Sequence, residues 1–203
     1  MIESLGRRFA RVVTDAVVRR PATWPLFRRV MRLQFDKLAP VWDQGRDPSA
    51  FGSLQLALES IDGDVRNALD VGTGTGEAAF AIARRFPEAR IVGIDLSEPM
   101  IETARRKTPD GARIEFRVGD ASRVDEPAGS FQLVTAANMI PFFDELARLT
   151  APRGWLIASF SVGADTPIYV APERLRDELG RRGFAEFAEF AAGRSTALLA
   201  RKR

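Results

Sequence analysis

Between residues 66 and 160, short apolar runs alternate with longer stretches of helical periodicity. The apolar runs predict five strands, at residues 67–71, 90–95, 113–118, 131–136 and 155–160. The stretches between them predict helices over residues 76–86, 98–107 and 142–149. Strands that alternate with helices in this way predict βαβ units, a mostly parallel sheet and right-handed crossovers.

The C-terminal part of the chain has a different pattern. Two apolar runs, at residues 184–190 and 195–200, flank a short segment that contains Gly193 and predict an antiparallel hairpin. The predicted fold is therefore an α/β, doubly wound, Rossmann-like sheet of seven mostly parallel strands, ending in the hairpin. We expect residues 201–203 to be a frayed tail. The stretch 162–183 leaves little room for a substrate lid, so we expect the N-terminal helices to cover the site.

The N-terminal part predicts amphipathic helices over residues 4–19, 26–38 and 48–61. We expect residues 1–62 to be a helical cap over the active site and residues 63–203 to be the core, within one structural domain. The net charge is +3, but residues 1–40 hold nine basic and three acidic side chains. Two interpretations stay open: a solvated basic face, or contact with an anionic membrane surface or an acidic partner.

The composition excludes several kinds of chemistry. The chain has no cysteine and no histidine, which excludes disulfides, thiolate or imidazole metal ligands, Ser-His-Asp triads and a histidine base. We expect no metal site, and a catalytic base would have to be Asp, Glu, Lys or the single tyrosine, Tyr169. No apolar run approaches the roughly 18 residues of a spanning helix, so we expect a cytoplasmic protein.

A glycine-rich turn follows the first predicted strand. Its sequence is Asp70-Val71-Gly72-Thr73-Gly74-Thr75-Gly76, and such a turn lets a ligand approach the backbone at the carboxyl edge of a sheet. The dinucleotide pattern Gly-x-Gly-x-x-Gly fails at Glu77, and no Gly-Lys-Ser/Thr of a P-loop follows. An acid two positions before the first glycine suits a cationic ligand better than a pyrophosphate. The pattern favours S-adenosylmethionine over NAD.

Two further acids end predicted strands. Asp95 ends the second strand, where its carboxylate can accept both ribose hydroxyls, but a dinucleotide site places an acid similarly. Asp120 follows the third strand, where a carboxylate can accept the adenine amino group. A strand-ending acid can also simply cap the next helix, and Ser97 is another candidate for that role.

Residues 66–160 resemble the class I S-adenosylmethionine-dependent methyltransferases, in the branch related to ubiquinone and menaquinone biosynthesis. The resemblance rests on five motifs: the glycine-rich segment 69–76, the second strand and turn at 92–100, Gly119-Asp120-Ala121, the strand at 131–134, and the proline/glycine turn at 151–154. The segment 35–43 also resembles the family's N-terminal region, in which an aromatic-Asp pair, here Trp42-Asp43, packs over the cofactor.

The resemblance implies the cofactor S-adenosylmethionine, the product S-adenosylhomocysteine and a set of binding residues. Gly72, Gly74 and Gly76 would line the methionine moiety above Asp70, and Asp95 would hold the ribose. The complete set implied to bind the cofactor is Trp42, Asp70, Gly72, Thr73, Gly74, Thr75, Gly76, Asp95, Leu96, Ser97, Met100, Asp120, Ala121 and Asn138. Asn138 would face the methyl group, at a position where many relatives carry a histidine.

The acceptor is left open. The expected acceptor is a small, apolar or aromatic metabolite, methylated on O, N or C. The candidate catalytic residues are Asn138, Asp43 and Tyr169, with Asp144 as a further acceptor contact, and residues 139–143 are a candidate apolar pocket. The alternatives are a membrane-associated enzyme acting on a lipid or quinone, a nucleic-acid methyltransferase and a non-catalytic cofactor-binding protein. The segment Asn138-Met139-Ile140-Pro141 lacks the Asn-Pro-Pro-aromatic motif of enzymes that grip a flipped base, which argues against nucleic acid. The sequence does not determine the oligomeric state.

Overall fold

The computed structural model describes residues 2–44 and 47–203. The helices are α1 (Ile2–Arg19), α2 (Trp24–Leu38), α3 (Gly52–Glu59), α4 (Glu77–Arg85), α5 (Glu98–Lys107), α6 (Phe143–Leu149) and α7 (Pro172–Gly180). The strands are β1 (Asn67–Val71), β2 (Arg90–Asp95), β3 (Ile114–Val118), β4 (Phe131–Ala137), β5 (Thr150–Phe160), β6 (Phe184–Ala192) and β7 (Ser195–Lys202).

The strands form one sheet of seven, in the order β3-β2-β1-β4-β5-β7-β6. The first five are parallel, and β7 runs antiparallel to both β5 and β6. This confirms the predicted Rossmann-like α/β fold with its C-terminal hairpin. The strand order reverses between β1 and β4, and an open α/β sheet binds ligands outside the carboxyl ends of its strands at such a switch point.

Both faces of the sheet are covered, as the near-continuous apolar runs of its strands require. On β1, Leu69 and Val71 face a cluster that includes α1, α2, α6 and α7. Ala68 faces the opposite cluster, which includes α3, α4 and α5. Helix α3 thus packs on the sheet beside α4, whereas α2 contributes to the wall of the site described below. The domain boundary at residue 62 stays a prediction.

Two local expectations were wrong, and one helix was missed. Helix α7 was not predicted, although Pro172 at its first turn is a typical start. The turn predicted at 151–154 lies within β5, where Arg153 has φ 61° and the pairing with β4 shifts register. The tail is not frayed as far as Lys202, since β7 includes that residue and its Nζ donates to the carbonyls of Ala147 and Thr150 at 2.6 and 2.9 Å.

Within residues 2–44 and 47–203, no helix is both long and apolar enough to cross a membrane.

Candidate functional site

A deep cavity opens at the switch point of the sheet. Its empty space is about 940 Å³, including open solvent at the mouth. The loops after β1, β2, β3 and β4 form one wall, and α2 with the segment that follows it forms the other. The described residues that line it are Trp24, Met31, Phe35, Trp42, Phe51, Asp70, Gly72, Thr73, Gly74, Thr75, Glu77, Ala78, Asp95, Leu96, Met100, Gly119, Ala121, Ala137, Asn138, Met139, Ile140, Phe142 and Ile168.

The glycine-rich loop has the backbone conformation that its sequence suggested. Gly72, Gly74 and Gly76 have φ values of 66°, 53° and 93°, in the left-handed region that favours glycine. A Cβ at Gly72 would also collide with Met139, approaching its Cβ to 3.0 Å. The loop therefore needs glycine at position 72 for its conformation and for its space.

Asp70 is fully buried beneath this loop. One of its carboxylate oxygens accepts from the Thr73 hydroxyl at 2.6 Å and the other from the Thr135 hydroxyl at 2.7 Å. Burial raises the pKa of Asp70 to about 6, although these two hydrogen bonds oppose the shift. The carboxylate therefore holds the loop on β1 and β4, and it carries a strong penalty for its charge that a nearby cation would relieve.

Asp95 lies at the end of β2 and binds the same loop. Its Oδ2 accepts from the Gly74 amide at 2.9 Å, and its Oδ1 accepts from the Ser97 amide at 2.8 Å. Burial raises its pKa, against these backbone hydrogen bonds. A carboxylate has about four lone-pair sites, and the backbone amides of Gly74, Ser97 and Leu96 interact with this one, so it keeps acceptor capacity for a hydrogen bond from a ligand in the cavity.

Asp120 follows β3, and a helix from the other wall contacts it. The Trp24 indole donates to its two oxygens at 2.9 and 3.1 Å, and the Arg28 guanidinium lies 3.3 Å from Oδ2. The Ser122 amide donates to Oδ1 at 2.9 Å. Asp120 itself does not line the cavity, whereas its neighbours Gly119 and Ala121 do.

Asn138 directly follows β4 and lines the cavity. Its φ of 51° is in the left-handed region, which asparagine tolerates better than most residues. Its Oδ1 accepts from the Ser161 amide at 2.8 Å. This bond orients the side-chain amide and leaves Nδ2 as its hydrogen-bond donor.

A polar bridge crosses the cavity rim beside Trp42. The Thr75 hydroxyl donates to Asp43 Oδ1 at 2.7 Å, and Lys107 Nζ lies 3.0 Å from Asp43 Oδ2. Lys107 also contacts Glu77 at the start of α4. Asp43 does not line the cavity, but it connects the segment after α2 to the glycine-rich loop.

Tyr169 is separate from the cavity. Its ring packs edge-on against Phe160, with ring centroids 5.0 Å apart. Burial, with the carboxylates of Glu173 and Glu189, raises its pKa, which disfavours the phenolate that a base would need at neutral pH. Asp144 is also removed from the cavity, since it is exposed and paired with Arg182 at 2.6 Å.

The structure brings most of the predicted residues together. Eleven of them line the cavity: Trp42, Asp70, Gly72, Thr73, Gly74, Thr75, Asp95, Leu96, Met100, Ala121 and Asn138. Gly76, Ser97, Asp120, Asp43 and Tyr169 are outside this lining. Gly76 is the N-cap residue of α4, and Ser97 caps α5 by accepting from the Met100 amide at 3.4 Å. The assignment of Gly76, Ser97 and Asp120 to the cofactor stays a prediction, as do the catalytic roles of Asp43 and Tyr169.

Sequence reasoning missed part of the wall. Trp24, Met31, Phe51, Glu77 and Ile168 line the cavity without having been predicted there. Trp24, Met31 and Phe35 are at i, i+7 and i+11 of α2, so helical periodicity would have placed them on one face. The sequence did not show that this face lies over the loop.

Comparison with known proteins agrees with this geometry. Residues 68–154 match the family model described as a methyltransferase domain. The demethylmenaquinone methyltransferase of Thermus thermophilus is 34% identical over 139 residues, which are 61% of this chain and 62% of that protein. The nocamycin O-methyltransferase of Saccharothrix syringae is 34% identical over 131 residues, 59% of this chain and 47% of its own. The chain therefore spans about half to three fifths of the length of these curated relatives.

A solved S-adenosylmethionine-dependent methyltransferase from Aquifex aeolicus has the same fold. Its TM-score is 0.65 at 18% identity, and the match covers 85% of this chain and 98% of that one. At this identity the likeness concerns the fold alone. Together with the family match, it confirms the resemblance that the motifs indicated.

Proposed function

We propose that this protein transfers a methyl group from S-adenosylmethionine to a small apolar or aromatic acceptor, because residues 68–154 match the model of a methyltransferase domain and the chain has the class I Rossmann-like fold. The relatives act, by their names, on demethylmenaquinone and nocamycin. Both names support a small-molecule acceptor. The acceptor of this chain is part of the proposal.

The observation that carries the proposal is the charge of the cavity wall. Asp70, Glu77 and Asp95 line it, and no lysine or arginine does so among the described residues. Lys107 already pairs with Glu77 from outside the lining, so the carboxylates of Asp70 and Asp95 carry the proposal. A wall with carboxylates and without cations disfavours a pyrophosphate. It suits a ligand with an ammonium and a sulfonium, because such charges relieve the desolvation penalty of Asp70 and Asp95.

The residues present fit S-adenosylmethionine. Gly72 and Gly74 provide a backbone cradle that a Cβ at position 72 would fill, which suits the methionine moiety above Asp70. Asp95 has acceptor capacity for the ribose hydroxyls. Leu96 and Met100 provide apolar surface for the adenine, beside Gly119 and Ala121.

When bound, the cofactor supplies a methyl group on a good leaving group, so the protein contributes mainly alignment and a dry site. Good alignment can supply roughly 7–11 kcal/mol of the barrier. Trp42 and Phe35, whose rings pack edge-on at 5.7 Å, cover the loop and exclude water. Asn138 offers Nδ2 as a donor that can orient the acceptor beside the cofactor.

The remaining wall is apolar, which supports an apolar acceptor. Met31, Met139, Ile140, Phe142 and Ile168 line it. Methionine side chains adapt to irregular shapes, so this part of the wall can accept planar or branched ligands. The chain has no histidine, and an acceptor that is already a phenolate, a carboxylate, a neutral amine or an enolate-like carbon needs no imidazole base.

The first test is calorimetric titration with S-adenosylmethionine, S-adenosylhomocysteine and NADH. We expect micromolar binding of the two sulfur ligands and none of NADH. Failure of both sulfur ligands to bind would overturn the proposal. Binding followed by no transfer to any phenolic, quinol, carboxylic or amine acceptor would instead support a non-catalytic cofactor-binding protein.

A further inference from the structure

Helix α2 has two apolar faces, and only one of them faces the protein. Trp24, Met31 and Phe35 point to the cavity. Leu26, Val30 and Leu33, at i, i+4 and i+7, are 76%, 50% and 45% exposed. At 100° per residue the second set lies opposite the first. A surface helix normally has one apolar stripe and a polar opposite face, so we call Leu26, Val30 and Leu33 the outer stripe.

Basic residues flank the outer stripe. Arg29 lies along one side of it and Lys37, at i+11 from Leu26, continues it toward the C-terminal end of α2; both are exposed, and neither makes an ion pair with any described residue. The only acid of α2, Asp36, lies 4.0 Å from Arg32 in an i, i+4 pair. The outer face of α2 is thus both apolar and positively charged.

We propose that α2 docks on an anionic lipid surface through the outer stripe, with Arg29 and Lys37 at the headgroups. Exposed apolar side chains between cations are the feature by which amphipathic helices bind the interface of anionic bilayers. A second copy of this chain fits less well, because a two-fold contact through the same stripe would bring like charges together. Charge complementarity therefore favours lipid over self-association.

Docking would bring the cavity to the membrane, because one helix forms both surfaces. Its inner face lines the apolar wall of the cavity and its outer face would lie in the headgroup region. An acceptor dissolved in lipid would then have a short path to the site. The delivery of an acceptor from the membrane rests on the proposed function, whereas the docking of α2 on lipid does not.

Vesicle co-sedimentation of the full chain tests the docking without cofactor or acceptor. The vesicles are pure phosphatidylcholine, or an equal mixture of phosphatidylcholine and phosphatidylglycerol, each at 50 and 500 mM salt. We expect binding to the mixed vesicles at low salt, with an affinity about tenfold or more above that for the pure vesicles. High salt should weaken this preference, because it screens exposed charges.

Two variants with matched controls separate the contributions. Leu26→Ser/Val30→Ser should lower the affinity for mixed vesicles about tenfold. Its control is Leu56→Ser/Val118→Ser, which removes two other exposed apolar side chains, 41% and 50% exposed, and should bind as the wild type. Circular dichroism should show that all variants melt within a few degrees of the wild type.

Arg29→Gln/Lys37→Gln should abolish the preference for phosphatidylglycerol, and Arg66→Gln/Arg84→Gln removes the same charge elsewhere and should preserve it. No binding to either vesicle, equal binding to both, or unchanged binding of the Leu26/Val30 variant would each overturn the docking. A wild-type dimer in light scattering that this variant dissolves, without vesicle binding, would assign the stripe to a second copy. Calorimetry of the cofactor is independent of all these outcomes.

Discussion

The two walls of the cavity are built from different interactions. The sheet wall is fixed by hydrogen bonds, with Asp70 bound to Thr73 and Thr135 and Asp95 bound to the Gly74 amide. The helical wall consists of apolar side chains of α2, which pack across the cavity on the apolar residues that follow β4, such as Trp24 against Phe142 with centroids 5.2 Å apart.

This difference indicates which wall recognises which ligand. Directed hydrogen bonds from a rigid loop select one ligand geometry, because a misplaced polar group loses its partners. Apolar contacts are non-directional and tolerate changes of shape. We therefore expect the sheet wall to determine the cofactor and the helical wall to determine the acceptor. The following predictions test that division, from the largest effect to the smallest.

Gly72→Ala should lower the affinity for S-adenosylmethionine about a hundredfold or more. Position 72 has a left-handed backbone, which is unfavourable for a residue with a Cβ, and the added Cβ collides with Met139. Calorimetry measures the affinity and thermal melting the stability. The control is Gly111→Ala, where φ is +79° and no atom lies within 4 Å of the added Cβ. The Gly111→Ala variant has the backbone strain without a steric collision. If both variants lost cofactor affinity equally, the collision with Met139 would not explain the effect at position 72.

Asp95→Asn should weaken cofactor binding about 10- to 100-fold, because charged hydrogen bonds contribute roughly 1.5–3 kcal/mol each. The amide has one acceptor oxygen for the Gly74 and Ser97 amides and none to spare for the ribose. Asp110→Asn, on the surface, is the matched control. The affinity for S-adenosylhomocysteine should fall similarly, since the ribose is common to both ligands; an effect on one ligand alone would contradict a ribose contact.

Asp70 should make both stability and binding depend on pH. Its pKa is about 6 in the folded chain against an ordinary 3.8, so the folded state holds the proton more tightly. The free energy of unfolding should therefore fall as the pH rises from about 4 to 6, by roughly 3 kcal/mol at most from this group. Thermal melts of the wild type and Asp70→Asn should differ in this slope.

Binding of the cationic cofactor should strengthen over the same range. A cation near Asp70 lowers its pKa, and each unit of lowering is about a tenfold gain in affinity once the carboxyl is ionised. The affinity for S-adenosylmethionine should rise between pH 5 and pH 7 in the wild type and stay flat in Asp70→Asn. Parallel pH profiles in the two proteins would contradict a charge interaction at this carboxylate.

Trp24→Phe should have the smallest effect on the cofactor, less than about fivefold. It keeps the aromatic packing against Phe142 but removes the hydrogen bond to Asp120, a bond of the helical wall. Hydrogen exchange should instead show faster opening of α2. Trp155→Phe, on the opposite sheet face, is the control and should not alter exchange in α2. A loss of cofactor affinity as large as that of Asp95→Asn would break the proposed division between the walls.

The sequence predicted the sheet wall well, for a local reason. Glycine spacing, the acids that end β1 and β2, and the period of the apolar runs are short-range properties of the chain. The parallel topology then follows because a helix between two strands returns the chain to the same end of the sheet. This is why Asp70, Asp95 and the loop between them could be placed at the carboxyl edge.

The contacts between side chains of the two walls could not be predicted from the sequence, because they join residues that are far apart along the chain. Asp120 is predicted as an adenine contact, which stays a prediction; the sequence did not show that it accepts a hydrogen bond from the indole of Trp24, 96 positions earlier. Asp43 is a candidate catalytic residue, which also stays a prediction; its contacts with Thr75 and Lys107 were not predicted. Tyr169 was another candidate, and it packs on Phe160 outside the cavity. Each outcome depends on the docking of α2, its following segment or the loop after β5 onto the sheet.

The sequence by itself thus determined the fold class, the parallel strands with their terminal hairpin and the glycine-rich loop, because these follow from local periodicity and turn chemistry. Only the tertiary structure decided which face of α2 covers the cavity and which face remains exposed. Both faces of that helix carry apolar residues at helical spacing, so periodicity alone does not distinguish them. The choice is made by shape and by long-range partners, such as the carboxylate of Asp120 and the ring of Phe142, which become neighbours of α2 only when the chain is folded.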